Sequence, residues 1–393
     1  MIFQTLDNKR ECRGIFLNNK IYDDPPEGLT ATWSYTANLP LSVEYANLYC
    51  QGKTISEVCP ETLSGQWEVA SSRLKAYLNS FIHAKINLNE HCFYDLVPQN
   101  FLHEYYSVKN AITEHVLKTY KKPDNYDFLL DLTRVTKEIA QQKLNIKREN
   151  LKRHMGESKT RNFLKKINTI EPFVKYNVYG TKTGRLTTMK NSFPVLTLSK
   201  EHRVCLEPKN DLFVEFDFNA AELRVLLALS GIEQPDGDIH EWNAKNVFKG
   251  IPTRKEAKER IFAWLYNPES RDYLANQSYE RDKVLQKYWD GRNVCTFYNR
   301  KIEADKHHAL NYVIQSTTAD LFLRQMIKVH KLLKGKRSHI AFSIHDSLVL
   351  DFDKDERHLI GDIAGIFADT DLGKFKVNLS LGKNFGRMKQ ICT

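Results

Sequence analysis

Residues 341 to 353 read AFSIHDSLVLDFD, an apolar run broken in its middle by His345, Asp346 and Ser347. A buried strand gains nothing from an ionised carboxylate at its centre. The run therefore resolves into two short strands, 341 to 344 and 348 to 352, joined by a turn that displays the three polar residues. Taken alone, Asp346 satisfies its own turn through local hydrogen bonds. A second acid in the same setting changes that. Asp217 closes DLFVEFDF, another apolar strand, and a helical segment, AAELRVLLALSG, follows at once and stops at Gly231.

Asp217 and Asp346 are 129 residues apart, yet they lie side by side if their strands share a sheet. Their repulsion is then relieved by divalent cations, and an all-oxygen donor set suits magnesium. Paired ions on two aspartates suit phosphoryl transfer. A third segment, TRKEAKERIFAWLY, places Arg254, Lys258, Phe262 and Tyr266 at i+4 spacing on one helical face. Over about 18 Å that face carries two cations and then two rings, the order for a nucleotide lying along it. The alternative is an amphipathic helix with its basic residues in water and its rings in a core.

Strand and helix signals alternate from 171 onward, through VYGTKTGRLTT and the helical ALNYVIQSTTADLFLRQMIKVHKLL. Helices packed on a short antiparallel sheet imply an α+β core. Residues 96 to 170 are helical in pattern, with Leu132, Val135 and Ile139 on one face. Lys137 to Lys166 holds ten basic and three acidic residues, Lys152, Arg153, Lys159 and Arg161 among the former. This is either a solvated helical face or a clamp on a phosphate backbone. Residues 1 to 95 mix strand-like pieces around an Asn18-Asn19 turn with an amphipathic patch, RLKAYLNSFIHAKI.

The net charge of +10 and pI near 9.0 point to a polyanionic partner. At 393 residues, 41% hydrophobic and 27% charged, the chain is long enough for two or three subdomains with sizeable cores. Seven scattered cysteines (12, 50, 59, 92, 205, 295 and 392) contain no CxxC pair, so neither a disulfide framework nor a zinc site is indicated, and a reducing cytoplasm is expected. MIFQTLDNKR lacks a signal-peptide core and no run approaches the ~18 apolar residues of a membrane span, so no membrane association is expected.

Several ordered motifs resemble those of the family A DNA polymerases. TGRLTT (183 to 188) resembles the family's TGRL segment, DFNAAELRVLLALSG (217 to 231) its motif A, and DIHEWNAKNVF (238 to 248) the element between motifs A and B. RKEAKERIFAWLY resembles motif B, ALNYVIQSTTADLF (309 to 322) the following palm helix, and SIHDSLVLDF motif C. The resemblance implies a right-hand fold: a small N-terminal domain (1–95), a basic helical thumb (96–170), palm (171–234), fingers (235–308) and palm again (309–393). It implies template-directed addition of dNTPs to a primer 3′-OH on primer-template DNA.

By matching position, Asp217 and Asp346 would hold two Mg²⁺ ions, with Mn²⁺ a possible substitute, assisted by the main-chain carbonyl of Phe218. Arg254, Lys258 and His240 would hold the triphosphate, Phe262 would line the sugar pocket, and Tyr266 would pack at the templating position. The family associates phenylalanine at the Phe262 position with discrimination against chain-terminating dideoxynucleotides. Glu222 would be the steric gate against a ribose hydroxyl. Arg185, Asn311 and Gln315 would reach the duplex minor groove, where acceptors are nearly independent of sequence. His345 would sit near the primer terminus, and the basic segment with Lys152, Arg153, Lys159 and Arg161 would grip phosphates.

The chain departs from the family pattern at three positions. Ser347 replaces the glutamate of the usual HDE, Asn267 a glycine after the motif B tyrosine, and His307 a common arginine. Residues 1–95 show no DxE exonuclease opening, so proofreading is expected to be absent and the arrangement is most like a small bacteriophage enzyme in the host bacterial cytoplasm. A single-subunit RNA polymerase and a non-catalytic DNA-binding replication protein remain alternatives, and any replisome partner is open. A reverse transcriptase reading from Tyr22-Asp23-Asp24 lacks ordered partner motifs.

Overall fold

A computed structural model describes residues 1–7, 14–88, 90–267 and 269–391, which fall into two compact units, Met1–Arg134 and Val135–Thr393. In the first unit, β1 (Gln4–Thr5), β2 (Ile15–Leu17) and β3 (Lys20–Tyr22) form a small antiparallel sheet. The β2–β3 turn is Asn18-Asn19 as expected, with φ of 49° and 59°. Asparagine tolerates this left-handed region, and such a turn matches the twist of the strands it joins. Helices α1 (Glu61–His83) and α2 (Gln99–Thr119) pack on each other. The Gln4 side-chain amide donates to Asn110 Oδ1 and Thr113 Oγ1, both at 2.9 Å, and fastens the sheet to α2. The face carrying Leu132, Val135 and Ile139 is buried in α3 (Tyr126–Ala140), and the division between units falls inside this helix.

Cys92 is disulfide-bonded, whereas Cys50, Cys59, Cys205 and Cys295 are free. This corrects the expectation of a chain without disulfides, and it withdraws the cysteine argument for a reducing compartment. Spacing along the chain says nothing about which distant thiols a fold brings to the roughly 5.5 Å Cα separation a bridge needs. Among the described residues no helix is long and apolar enough to cross a membrane.

The second unit is built on one sheet. After a 3₁₀ segment, Arg148–His154, and α4 (Ser158–Thr169), the chain enters β4 (Leu212–Phe218) and then α5 (Ala221–Leu229), α6 (Arg254–Tyr266) and α7 (Lys306–Leu332). The hairpin β5 (His339–Ile344) and β6 (Ser347–Phe352) follows, then α8 (Leu359–Ala368), β7 (Val377–Gly382) and β8 (Lys389–Ile391). The strands lie in the order β5-β6-β4-β7-β8, every pair antiparallel, with β4 in the middle. The expected α+β architecture is present.

Alternation along β4 sets the two faces of the sheet. Val214, Phe216 and Phe218 point to one side, where Phe367 of α8 stacks on Phe218 at 4.4 Å and meets Phe216 and Phe322 of α7 at 6.1 Å. Glu215 and Asp217 are half-buried on the other. The apolar face thus anchors the strand that carries Asp217.

The hairpin differs from expectation in one respect. Its turn contains only His345 and Asp346, because Ser347 already pairs with Ile344 and with Asp217 in the sheet. The physical reason is the preference of tight hairpins for two-residue loops, which leaves Ser347 fixed on the sheet surface. Replacing Phe367 by alanine empties the centre of the aromatic cluster and is expected to cost about 3–5 kcal/mol. Urea denaturation followed by tryptophan fluorescence checks this, and a loss under about 1 kcal/mol would show a loosely packed site.

Candidate active site

The sheet register brings the sequence-distant acids together. Asp217 faces Ser347 on β6 and Asn378 on β7, and Asp346 occupies the turn beside Ser347. Both aspartates line one cleft of about 550 Å³, with Arg185, Phe218, Glu222, Phe262, Tyr266 and His345 also on its walls. The ring of Phe218 is stacked in the core, so its main chain is what it offers the cleft. Two non-glycine residues beside the aspartates, Ala220 and His345, hold left-handed φ values of 53° and 52°. Backbone strain of this kind persists where the surrounding structure enforces it.

Burial pushes the Asp217 carboxyl up to about 7; the neighbouring Glu215 and Asp346 charges add to the rise, and Asn378 and Lys258 oppose it. Burial also raises Asp346, against Arg185 and His345. Among the described residues neither carboxyl makes an ion pair, and two acids held away from water and near each other are suited to a divalent cation that would neutralise both. Among the described residues no three His, Cys, Asp or Glu side chains converge as a ready-made metal cage. Two aspartates and a main-chain carbonyl fit Mg²⁺, which takes one or two carboxylates and completes its shell with substrate phosphates and water.

Helix α6 begins with a capping box: the Thr253 hydroxyl accepts from the Glu256 amide, and the Glu256 carboxylate accepts from the Thr253 amide at 2.8 Å. Its core face is Ala257, Ile261, Trp264 and Leu265. Phe262 and Tyr266 lie off that face, stacked on each other at 5.9 Å and lining the cleft, so they are not core residues. Lys258 is exposed. Arg254 is gripped by Asp238, with Nη2 to Oδ2 at 2.7 Å and Nε to Oδ1 at 3.1 Å. Asn267, just beyond the helix, has an extended backbone (φ −105°) open to any residue, so the absence of glycine there imposes no strain.

Glu222, in the first turn of α5, is 7% exposed and has both carboxylate oxygens engaged. Arg185 donates to one and the Tyr266 hydroxyl to the other. Gly184, before Arg185, has a φ of +80°, and a Cβ there would lie 2.6 Å from the Arg300 guanidinium. Arg300 is itself held by two bonds to Asp320 of α7, at 3.1 and 2.6 Å. Only glycine fits between this ion pair and the turn that presents Arg185.

His240 lies in the helical turn Ile239–Trp242, capped by Asp238, with its ring 5.6 Å from Phe262. The remaining expected residues lie apart from the cleft. Asn311 and Gln315 sit half-buried on α7, and neither lines it. Lys152, Arg153, Lys159 and Arg161 are exposed, and Arg161 donates to the carbonyls of Met155 and Gly156 at 3.1 and 2.6 Å. Sequence reasoning missed Glu215, Asp238, Asn378, Ser380 and Gln390. Two-residue alternation from Asp217 signals Glu215, and the position before a helical turn signals Asp238; the other three lie on β7 and β8, whose pairing no local pattern reveals.

Burial lowers His240 to about 4, with Lys258, Arg254 and Arg224 acting in the same direction and Asp238 opposing. The unfolded chain's histidine takes up its proton near 6.5. The fold is therefore penalised as pH falls from about 6.5 to about 4, and untouched by this group above that window. NMR of ¹³C-labelled histidine, assigned with His240→Gln, is expected to show a midpoint near 4. A midpoint at or above 6.5 would contradict the burial.

The fold is that of a DNA polymerase domain. The chain resembles the "POL domain of Pol1 from M. smegmatis complex with DNA primer-template and dNTP" with a TM-score of 0.60 and 12% identity, over 87% of this chain and 82% of that one. A sequence profile of DNA polymerase family A matches residues 295–388. DNA polymerase I of Chloroflexus aurantiacus is 27% identical over 273 residues, 55% of this chain and 29% of that protein. The thermostable DNA polymerase I of Thermus aquaticus is 26% identical over 242 residues, 48% of this chain and 29% of its own length. The DNA polymerase of Mycobacterium phage D29 is 29% identical over 183 residues, 37% of this chain and 30% of that one. The chain is thus similar to family A DNA polymerases, most clearly over residues 295–388, and it spans under a third of the length of these curated relatives.

Proposed function

We propose that this chain is a template-directed DNA polymerase that extends a primer 3′-OH with dNTPs, without proofreading of its own, in phage DNA replication. The observation that carries this reading is one cleft that gathers Asp217, Asp346, Glu222, Phe262 and Tyr266 from four separate segments. Phage replication is favoured by the likeness to the Mycobacterium phage D29 polymerase, and the proposed absence of proofreading concerns this chain's own residues, of which 1–95 contain no DxE opening. A cytoplasmic location follows from the proposed substrates, not from cysteine usage.

When bound, Mg²⁺ ions, or Mn²⁺ in their place, supply charge stabilisation for attack and departure at the α-phosphate. Asp217 and Asp346 would hold them, with the Phe218 carbonyl. Arg254 must exchange Asp238 for the triphosphate, which Lys258 and His240 also meet. Phe262 and Tyr266 form the wall for sugar and base, and Glu222, fixed by Arg185 and Tyr266, blocks a 2′-hydroxyl. We assign Arg185, Asn311, Gln315 and His345 to the primer-template duplex, and the exposed Lys152, Arg153, Lys159 and Arg161 to its phosphates. The palm, fingers and thumb divide the chain at about residues 96, 171, 235 and 309.

Extension of a labelled primer tests the reading. Asp217→Asn and Asp346→Asn are each expected to lower the rate about 10³-fold or more, and EDTA to abolish it until Mg²⁺ is restored. Undiminished extension by either variant would sink the central claim, and shortening of the primer would reveal an exonuclease. Glu222→Ala separates this reading from an RNA polymerase. It is expected to raise NTP use relative to dNTP by roughly tenfold or more, and an unchanged ratio would remove the gate.

A further inference from the structure

We propose that Glu215 is a further positioning residue of this site, a carboxylate that strengthens its hold on divalent cations, with Ser347 fixing it in place. The inference rests on the polymerase reading above. Glu215 precedes Asp217 by two residues on β4, so both side chains rise from the same face of the sheet. It lines the same cleft. The Ser347 hydroxyl, directly opposite Asp217, donates diagonally to Glu215 Oε1 at 2.7 Å. At the hairpin position where the family resemblance places a glutamate, this chain thus carries a serine bonded to a glutamate on the adjoining strand.

A half-buried carboxylate on the central strand of a sheet is costly without positive charge. Among the described residues Glu215 makes no ion pair. Its cross-strand neighbours on β7 and β8, Ser380 and Gln390, are neutral, and the guanidinium of Arg203, also on the cleft wall, lies over the Phe385 ring. Among the described residues its hydrogen-bond partner is the Ser347 hydroxyl, which orients it. Glu215 does not converge with Asp217 and Asp346 into a cage. It therefore acts through its charge and through solvent rather than as a ligand, and outer carboxylates of this kind change metal affinity by about 10–100-fold.

A purely structural tie between β4 and β6 makes a different forecast, since its loss lowers stability and leaves metal affinity alone. Mn²⁺ binding to the full chain, read by EPR of the free ion, is compared with the Mg²⁺ dependence of primer extension and with urea unfolding. Glu215→Gln is expected to weaken Mn²⁺ binding about tenfold and to raise the Mg²⁺ needed for half-maximal extension by a similar factor, with the unfolding midpoint retained. The double variant Glu215→Ser/Ser347→Glu is expected to restore both metal readouts. Unchanged Mn²⁺ binding in Glu215→Gln, in a protein whose binding is lost in Asp217→Asn, overturns the proposal; so does a loss confined to stability. If the wild type binds Mn²⁺ yet extends no primer with any metal, the polymerase reading falls, and the EPR comparison still decides the part played by Glu215.

Discussion

The site depends on the cost of carrying carboxylates into a sheet. Asp217 and Glu215 stand on the central strand β4, flanked on both sides by hydrogen-bonded neighbours, and Asp346 stands in the adjoining turn. Each charge is partly removed from water, and no described lysine or arginine pairs with any of the three. Such an arrangement persists only if the rest of the fold overcomes its cost. The opposite face of the sheet does so with Val214, Phe216, Phe218, Phe322 and Phe367, an aromatic and aliphatic layer that fixes β4 against α7 and α8.

The polar side of the cleft is ordered by a chain of restraints. The Arg300–Asp320 pair backs Gly184, Gly184 lets the chain turn to present Arg185, and Arg185 holds Glu222 together with Tyr266. A change at Arg300 therefore reaches the cleft without touching it. On α6 the cationic end behaves differently from the aromatic end. Arg254 is already occupied by Asp238, so under the proposed function a phosphate would have to compete with a carboxylate for it, whereas Phe262 and Tyr266 stand stacked and open to the cleft. The energetics of nucleotide entry on this reading are an exchange of one anion for another, which favours the partner with more charge.

Much of this was legible in local pattern. Apolar runs ending in an acid mark β4 and the hairpin, and i+4 spacing marks the face of α6 that carries Phe262 and Tyr266. The Asn18-Asn19 pair announces its own turn. Other features were hidden because they belong to no local segment. Cys92 has a disulfide partner that its spacing could not name, and Asn378, Ser380 and Gln390 reach the cleft only through the pairing of β7 and β8. Asn311 and Gln315 share a helical face by spacing, yet neither reaches the cleft wall, since helical period does not say where a face points.

The amino-acid order by itself determined which segments are strands and helices and which positions carry charge against the apolar pattern, because those depend on neighbours two to four residues away. It determined the resemblance to a family through the order of its motifs. Only the tertiary structure decided which acids share a surface. Antiparallel register set Ser347 opposite Asp217 and within bonding distance of Glu215, turning a serine at a glutamate position into the support of a carboxylate on the next strand. Register is a property of two strands far apart in the chain, and a shift of one residue would have turned every one of these side chains to the other face.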